Sequence, residues 1–226
     1  MGRRINYEER DRIKKMATLL FFEHGYENVS TRSIAETCNI TRALLHHYYP
    51  QKEMLLLDSF LFLVQQYNRY FLERMSEEQF RLLDVELFFR LFFGMCTIDQ
   101  KYKNLFLHIY SNVELLNKFI GRIIDEHFAL LIEKPHKEEK QYAMYAIAGT
   151  LSQFIMLQEK KLLPWSTEEL VDYAVRGYYL YIGKTPIEAD TYMKTCKSVI
   201  DEPCIKNFIS EFEEGINNVD FICSKE

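Results

Sequence analysis

Between Ser30 and Lys52 the sequence reads STRSIAETCNITRALLHHYYPQK, and its punctuation leaves few ways to fold. The Ser30 hydroxyl can accept from an orphan first-turn amide, so a helix can start at Thr31, with Ile34 and Ala35 as its small apolar face. Cys38-Asn39-Ile40 interrupts that helix, Asn39 being able to take the tight-turn conformation while Ile40 plugs the corner. Thr41 can cap a second helix, and Pro50 ends it because its ring restricts the residue before it and removes a donor. Two short helices around a tight turn form a helix-turn-helix.

On a wheel at about 100° per residue, Leu45 and Tyr49 fall together and form the buried side of the second helix. Ala43 and His47 lie opposite, Leu44 and His46 flank them, and Thr41 and Arg42 stand at the amino end. A helix that reads base edges needs such a small, polar or basic outer side, with the other side held to its domain.

Residues from about Ile13 to Leu55 resemble the amino-terminal domain of the TetR (tetracycline-repressor-like) family of bacterial transcriptional regulators. The landmarks are Ile13, Ala17, Leu20-Phe21, Gly25-Tyr26, Thr31, Ile34-Ala35, Ile40-Thr41, Leu45, the aromatic Tyr49 and Lys52-Glu53-Met54-Leu55. The chain departs from the family pattern at Ala43 (usually Gly), His46 (usually Tyr) and Tyr48 (usually His). The resemblance implies an all-α protein: a three-helix helix-turn-helix DNA-binding domain at residues 1–52, then a helical-bundle ligand-binding and dimerisation domain at 53–226.

Charge fits that division. Residues 1–54 hold nine Lys/Arg against seven Asp/Glu, a net +2, while the rest carries −7, so the overall −5 hides a basic head. Arg3, Arg4, Arg10, Arg12, Lys14 and Lys15 crowd the leading end, and DNA affinity follows the local patch. No apolar run follows Arg3-Arg4, and Leu87 to Ile98 is too short and broken by Arg90 to span a membrane. Five cysteines without CxxC spacing indicate neither a disulfide framework nor a zinc site. The expectation is a cytoplasmic protein with reduced thiols and no cofactor.

Helix 1 is expected from Tyr7 to His24, with Ile13, Ala17, Leu20 and Phe21 in one stripe and Gly25 closing it. A long helix from Lys52 to roughly Met75 follows, then helices over about Glu86–Ile98, Leu105–Tyr110, Leu115–Ile132, Tyr142–Lys161 and Thr167–Ile182, with Pro135 and Pro164 as breaks. Beyond Gly183, Pro186 and Pro203 suggest two short helices without a functional reading.

The resemblance assigns Thr31, Tyr48 and Lys52 to phosphates, with Thr41, Arg42 and Ala43 nearest the bases and Leu44 able to touch a thymine methyl. His46 and His47 point apart on the helix and suit phosphate or sugar better than a metal. Phe60, Tyr67, Phe71, Phe88, Phe89, Phe92, Met95, Phe106, His108 and Tyr110 could line an apolar cavity, with Asn112 or Gln153 as further polar groups. Core packing is the competing reading for each. Ala143, Ala146, Ile147, Thr150 and Phe154, together with Ala174, Gly177, Tyr178 and Tyr181, are the candidate dimer face, since small residues permit close helix approach and the family pairs its last two body helices with their symmetry mates.

Together these readings describe a homodimeric repressor on a palindromic operator, released by a small apolar or aromatic effector. No phosphate-binding glycine loop, nucleophile elbow or HExxH appears, so no enzyme is expected. The rival is a helical ligand-binding or catalytic protein keeping the head as scaffold, with His108 its one tempting base.

Overall fold

A computed structural model describes residues 6–126 and 137–217. Among them the chain forms eleven α-helices and no strand: α1 (Tyr7–His24), α2 (Thr31–Thr37), α3 (Arg42–Tyr48), α4 (Lys52–Leu72), α5 (Glu77–Ile98), α6 (Gln100–Tyr110), α7 (Val113–Glu126), α8 (Lys137–Glu159), α9 (Thr167–Tyr181), α10 (Pro186–Val199) and α11 (Glu202–Asn217). Pro135, Cys223, Arg3, Arg4 and the expected end of the seventh helix at Ile132 lie outside the described residues.

Close contacts group the chain into two units, residues 1–66 with 210–226, and residues 67–209. The sequence places its division at 52/53. The difference arises because most of α4 and the end of α11 pack with the first three helices. Phe212 sits edge-on to Phe22 at 5.5 Å and near Phe62 at 6.0 Å.

In the first unit local chemistry sets each boundary. Asn6 caps α1 by accepting from the Glu8 and Glu9 amides, and Gly25 ends it at φ 79°, a left-handed conformation that a side chain would strain. Ser30 and Ser33 cap α2 reciprocally, a capping box with Ser in place of the usual Glu. Asn39 turns the corner at φ 52°, and the Thr41 hydroxyl accepts from the Leu44 amide at 3.1 Å to start α3. Ile13, Ala17, Phe21, Ile34, Leu45 and Tyr49 are buried together, as the wheel requires.

In the second unit α5 is the axis. It starts at Glu77, nine residues before the apolar run suggests, because Ser76 and Gln79 form a capping box. Every residue from Leu83 to Phe93 is buried, on all sides of the helix. That stretch includes Asp84, Glu86 and Arg90. Buried charges persist when paired. Arg90 grips Glu86 at 2.6 Å and Asp172 of α9 at 2.7 Å, while the Tyr179 hydroxyl donates to Glu86 at 2.9 Å.

The tail forms two substantial helices, of 14 and 16 residues, where two short ones are expected. Thr185 and Glu188 form a capping box with Pro186 in the first turn, and Ala189, Cys196 and Phe208 are buried. Apolar positions at helical spacing make α10 and α11 part of the core.

Candidate functional site

α3 presents the surface expected of a reading helix. Thr41, Arg42, Ala43, His46 and His47 are exposed, Leu44 is half-buried, and Leu45, Tyr48 and Tyr49 are buried. The outward side therefore carries a cation, two imidazoles and small groups, which can approach base edges without a steric barrier. Thr31 is half-buried at the start of α2, with Arg32 exposed beside it and paired to Glu36 at 2.8 Å.

Two residues assigned to phosphates are committed within the head. Tyr48 is 9% exposed, with its ring edge-on to His47 at 5.4 Å, so it offers little surface. The Lys52 ammonium donates to the Tyr26 carbonyl at 2.5 Å and lies 3.8 Å from the centre of the Tyr26 ring. Lys52 thus ties α4 to the turn after α1, and its partial burial lowers its pKa.

Asp58, which the sequence reading did not single out, holds α3 in place together with Arg10 and Tyr49. Arg10 of α1 donates to Asp58 Oδ2 of α4 at 2.8 Å, and the Tyr49 hydroxyl at the end of α3 donates to the same oxygen at 3.2 Å. The Arg10 guanidinium lies 5.3 Å from the centre of the Tyr49 ring. Burial pushes the Tyr49 phenol above its ordinary range, so it stays a donor. The available signal was Asp58 itself, a charge inside the apolar run MLLLDSFLFLV. Arg12 adds a bond to the Cys38 carbonyl at 2.8 Å, bracing the turn between α2 and α3.

The aromatic set proposed for a cavity is packed ring on ring. Phe60 lies in the first unit and the others in the second. Tyr67 meets Phe71, Phe88 and Phe92 at 5.2, 5.7 and 6.1 Å, Phe88 meets Phe92 at 4.3 Å, and Phe92 meets Phe106 at 5.5 Å. Phe89, Met95 and Tyr110 are likewise buried, and His108 is half-buried. Open space lies elsewhere in the second unit. One groove of about 590 Å³ runs between α5, α9, α10 and α11, and another of about 510 Å³ runs between α5, α6 and α8. Of the proposed set, Phe106 alone borders either groove.

The small-residue face is divided. Ala143, Ile147, Ala174 and Tyr178 are buried within the chain, Ala146, Thr150, Phe154 and Gly177 are half-buried, and Tyr181 is exposed. The outward sides of α8 and α9 carry Tyr142, Tyr173, Leu180 and Tyr181 instead, all exposed. Tyr173 also closes a surface cluster with Trp165 (5.5 Å) and Phe154 (5.8 Å).

Among the described residues no group of three His, Cys, Asp or Glu side chains is placed to hold a metal, and no helix is long and apolar enough to cross a membrane.

Comparison with known proteins bears on the head. Residues 13–58 match the model of the bacterial regulatory proteins, tetR family. The chain is 28% identical over 120 residues to the biofilm operon icaADBC HTH-type negative transcriptional regulator IcaR of Staphylococcus epidermidis. That stretch covers 52% of this chain and 62% of the relative. With a capped helix-turn-helix at 30–49 inside the matched region, residues 13–58 form a head of the kind found in the bacterial regulatory proteins of the tetR family.

Proposed function

We propose that this protein is a dimeric, ligand-responsive transcriptional repressor that binds duplex DNA in the cytoplasm. The observation that carries the reading is the exposed Thr41–Arg42–Ala43 end of α3, capped, braced from behind by Asp58, and lying inside the matched segment. Arg is the side chain best suited to a bidentate grip on guanine, and Ala43 beside it allows close approach. Thr31, Leu44, His46 and His47 complete the contact surface, with Tyr48 and Lys52 positioning it. The relative named above is a negative regulator, and the same sign of control is proposed here.

Dimerisation supplies two heads, so the operator is a rough palindrome with half-sites about one helical turn apart. The outward apolar side chains of α8 and α9, with Ala146, Thr150, Phe154 and Gly177 at their edges, form the proposed dimer surface. An effector acts by binding the DNA-incompetent form more tightly than the competent one. The chain carries out no catalysis in this scheme.

The test is a mobility-shift and footprinting experiment on DNA upstream of the protein's own gene, with oligomeric state measured alongside. A protected palindrome bound by a dimer is expected. A monomer indifferent to every duplex, even in dilute buffer, overturns the reading.

A further inference from the structure

We propose that Phe212, on the carboxyl-terminal helix α11, is a positioning residue for DNA binding that fixes how α3 is held. The proposal rests on the reading of α3 as the DNA-contacting helix, and one arm of its test needs no DNA.

Helices α1 and α4 lie side by side in matched register. Arg10 pairs with Asp58 at 2.8 Å, and one turn further along both helices the Lys14 ammonium lies 5.4 Å from the centre of the Phe62 ring. Lys15 brings a second cation to 5.9 Å from the same ring. Asp58 and Phe62, at i and i+4, share one face of α4. Asp58 accepts the Tyr49 hydroxyl at the end of α3, so the pairing of α1 with α4 decides where that acceptor stands.

Phe212 closes the far end of this pairing. Its ring meets Phe22 of α1 edge-on at 5.5 Å and Phe62 of α4 at 6.0 Å, and all three rings are buried. Ile216, one turn further on α11, is buried as well. Phe212 therefore acts as a wedge that both helices share. Truncating it leaves a cavity against α1 and α4. A helix as short as α3 takes its orientation from what it packs against, so slack between α1 and α4 reaches it through Phe62 and Asp58.

The test uses the full chain as wild type, Phe212→Ala, Tyr49→Phe and the double variant, at a temperature where each is more than about nine-tenths folded. Under that condition a loss of global stability weakens apparent affinity by only about a tenth. Phe212→Ala should weaken binding of the duplex upstream of the protein's own gene about tenfold at unchanged base preference. Phe212→Leu, which keeps most of the bulk, should fall between that variant and wild type. With Tyr49→Phe the link from Asp58 to α3 is already cut, so adding Phe212→Ala should cost less than about a further twofold. Without DNA, amide exchange at Leu45 and Tyr49 of α3 should quicken about tenfold in Phe212→Ala, and by more than at Ile34 and Cys38 of α2.

Wild-type affinity and exchange in Phe212→Ala, losses that multiply fully in the double variant, or equal acceleration across α2 and α3 would each overturn the proposal. If Phe212→Ala does not fold, Phe212→Leu replaces it in both arms with smaller changes of the same sign expected. If the wild type binds no duplex, the DNA-binding reading fails and the exchange comparison still decides this one.

Discussion

The phenol of Tyr49 and the guanidinium of Arg10 share one carboxylate oxygen of Asp58, at 3.2 and 2.8 Å, so one buried acid ties the end of α3 to α1 and α4. A seven-residue helix cannot hold its own orientation, since most helical stability comes from tertiary packing. Tyr49→Phe should therefore cost about 1 kcal/mol in urea denaturation, the ordinary worth of one hydrogen bond. Asp58→Ala should cost about 1–3 kcal/mol, because the phenol and the guanidinium lose their common acceptor. Both variants should bind operator DNA more weakly at unchanged base preference, measured by titrating a set of single-base operator variants.

Arg42 and Lys52 should separate cleanly. Arg42→Ala removes an exposed side chain, so stability should hold within about 0.5 kcal/mol, while discrimination at one base pair falls by about 1–3 kcal/mol. Lys52→Ala removes the bond and ring contact to Tyr26 and should cost about 1 kcal/mol of stability, with affinity falling alike for all sequences. Equal operator binding by Arg42→Ala and wild type would remove Arg42 from the interface.

Gly94 and Ile205 should be coupled. Alanine at a helical glycine ordinarily gains about 0.5–1 kcal/mol. Here the added methyl meets Ile205 Cδ1, and the overpacking should cancel that gain. In an Ile205→Ala background Gly94→Ala should recover it. A double-mutant cycle by urea denaturation should show coupling of at least about 0.5 kcal/mol, and strict additivity would show that α11 does not press on α5 there.

Arg90→Ala should be among the most damaging single changes in the second unit. It leaves Glu86, 0% exposed, without its cation, and removing one partner of a buried pair costs about 3–5 kcal/mol. The double variant Arg90→Met with Glu86→Gln should restore much of that loss, since no bare charge remains. Thermal unfolding of the three proteins decides it.

The capping carboxylates Glu169 and Glu188 set part of the acid response. Hydrogen bonds from the backbone and hydroxyl groups of Ser166 and Thr185 hold both below the usual glutamate value of 4.5. A lowered folded pKa means that their stabilisation is complete above the unfolded value and is lost as pH falls through the folded one. Glu188→Gln should accordingly flatten the stability profile below about pH 4.5, the ordinary glutamate range, and leave the neutral region little changed. An unchanged acid limb in urea unfolding would exclude this cap as a contributor.

The head was legible because its signals act over a few residues. Ser30 and Thr41 cap helices through hydroxyls three residues from the amides they receive, and Asn39 turns the corner through its own backbone. The face of α3 follows from spacing alone, so Leu45 and Tyr49 point inward as expected. Tyr48 was harder. It lies on the edge between the two sides of the helix, and its burial depends on neighbours that the local sequence does not specify.

Much less of the body could be read. In α5 apolar residues occupy every side, so periodicity names no face and cannot tell a cavity wall from a packed ring. Phe88 and Phe92 are buried ring on ring, and Phe106 both packs on Phe92 and borders the groove between α5, α6 and α8. The same limit applies to α8 and α9, where small residues at helical spacing mark close packing without saying against what. Four of the nine residues of the proposed dimer face are buried inside the chain, and Tyr142, Tyr173 and Leu180 stand outside.

The amino-acid sequence by itself determined the all-helical class, the capped helix-turn-helix and its exposed Thr41–Arg42–Ala43 end, because caps, turns and period are local consequences of residue type. Tertiary structure alone decided that Asp58 braces that helix, that the tail helices pack into the core, and that Tyr67, Phe88 and Phe92 meet ring on ring. Those outcomes depend on contacts between residues far apart in the chain, such as Arg10 with Asp58 and Arg90 with Asp172, which no local pattern encodes.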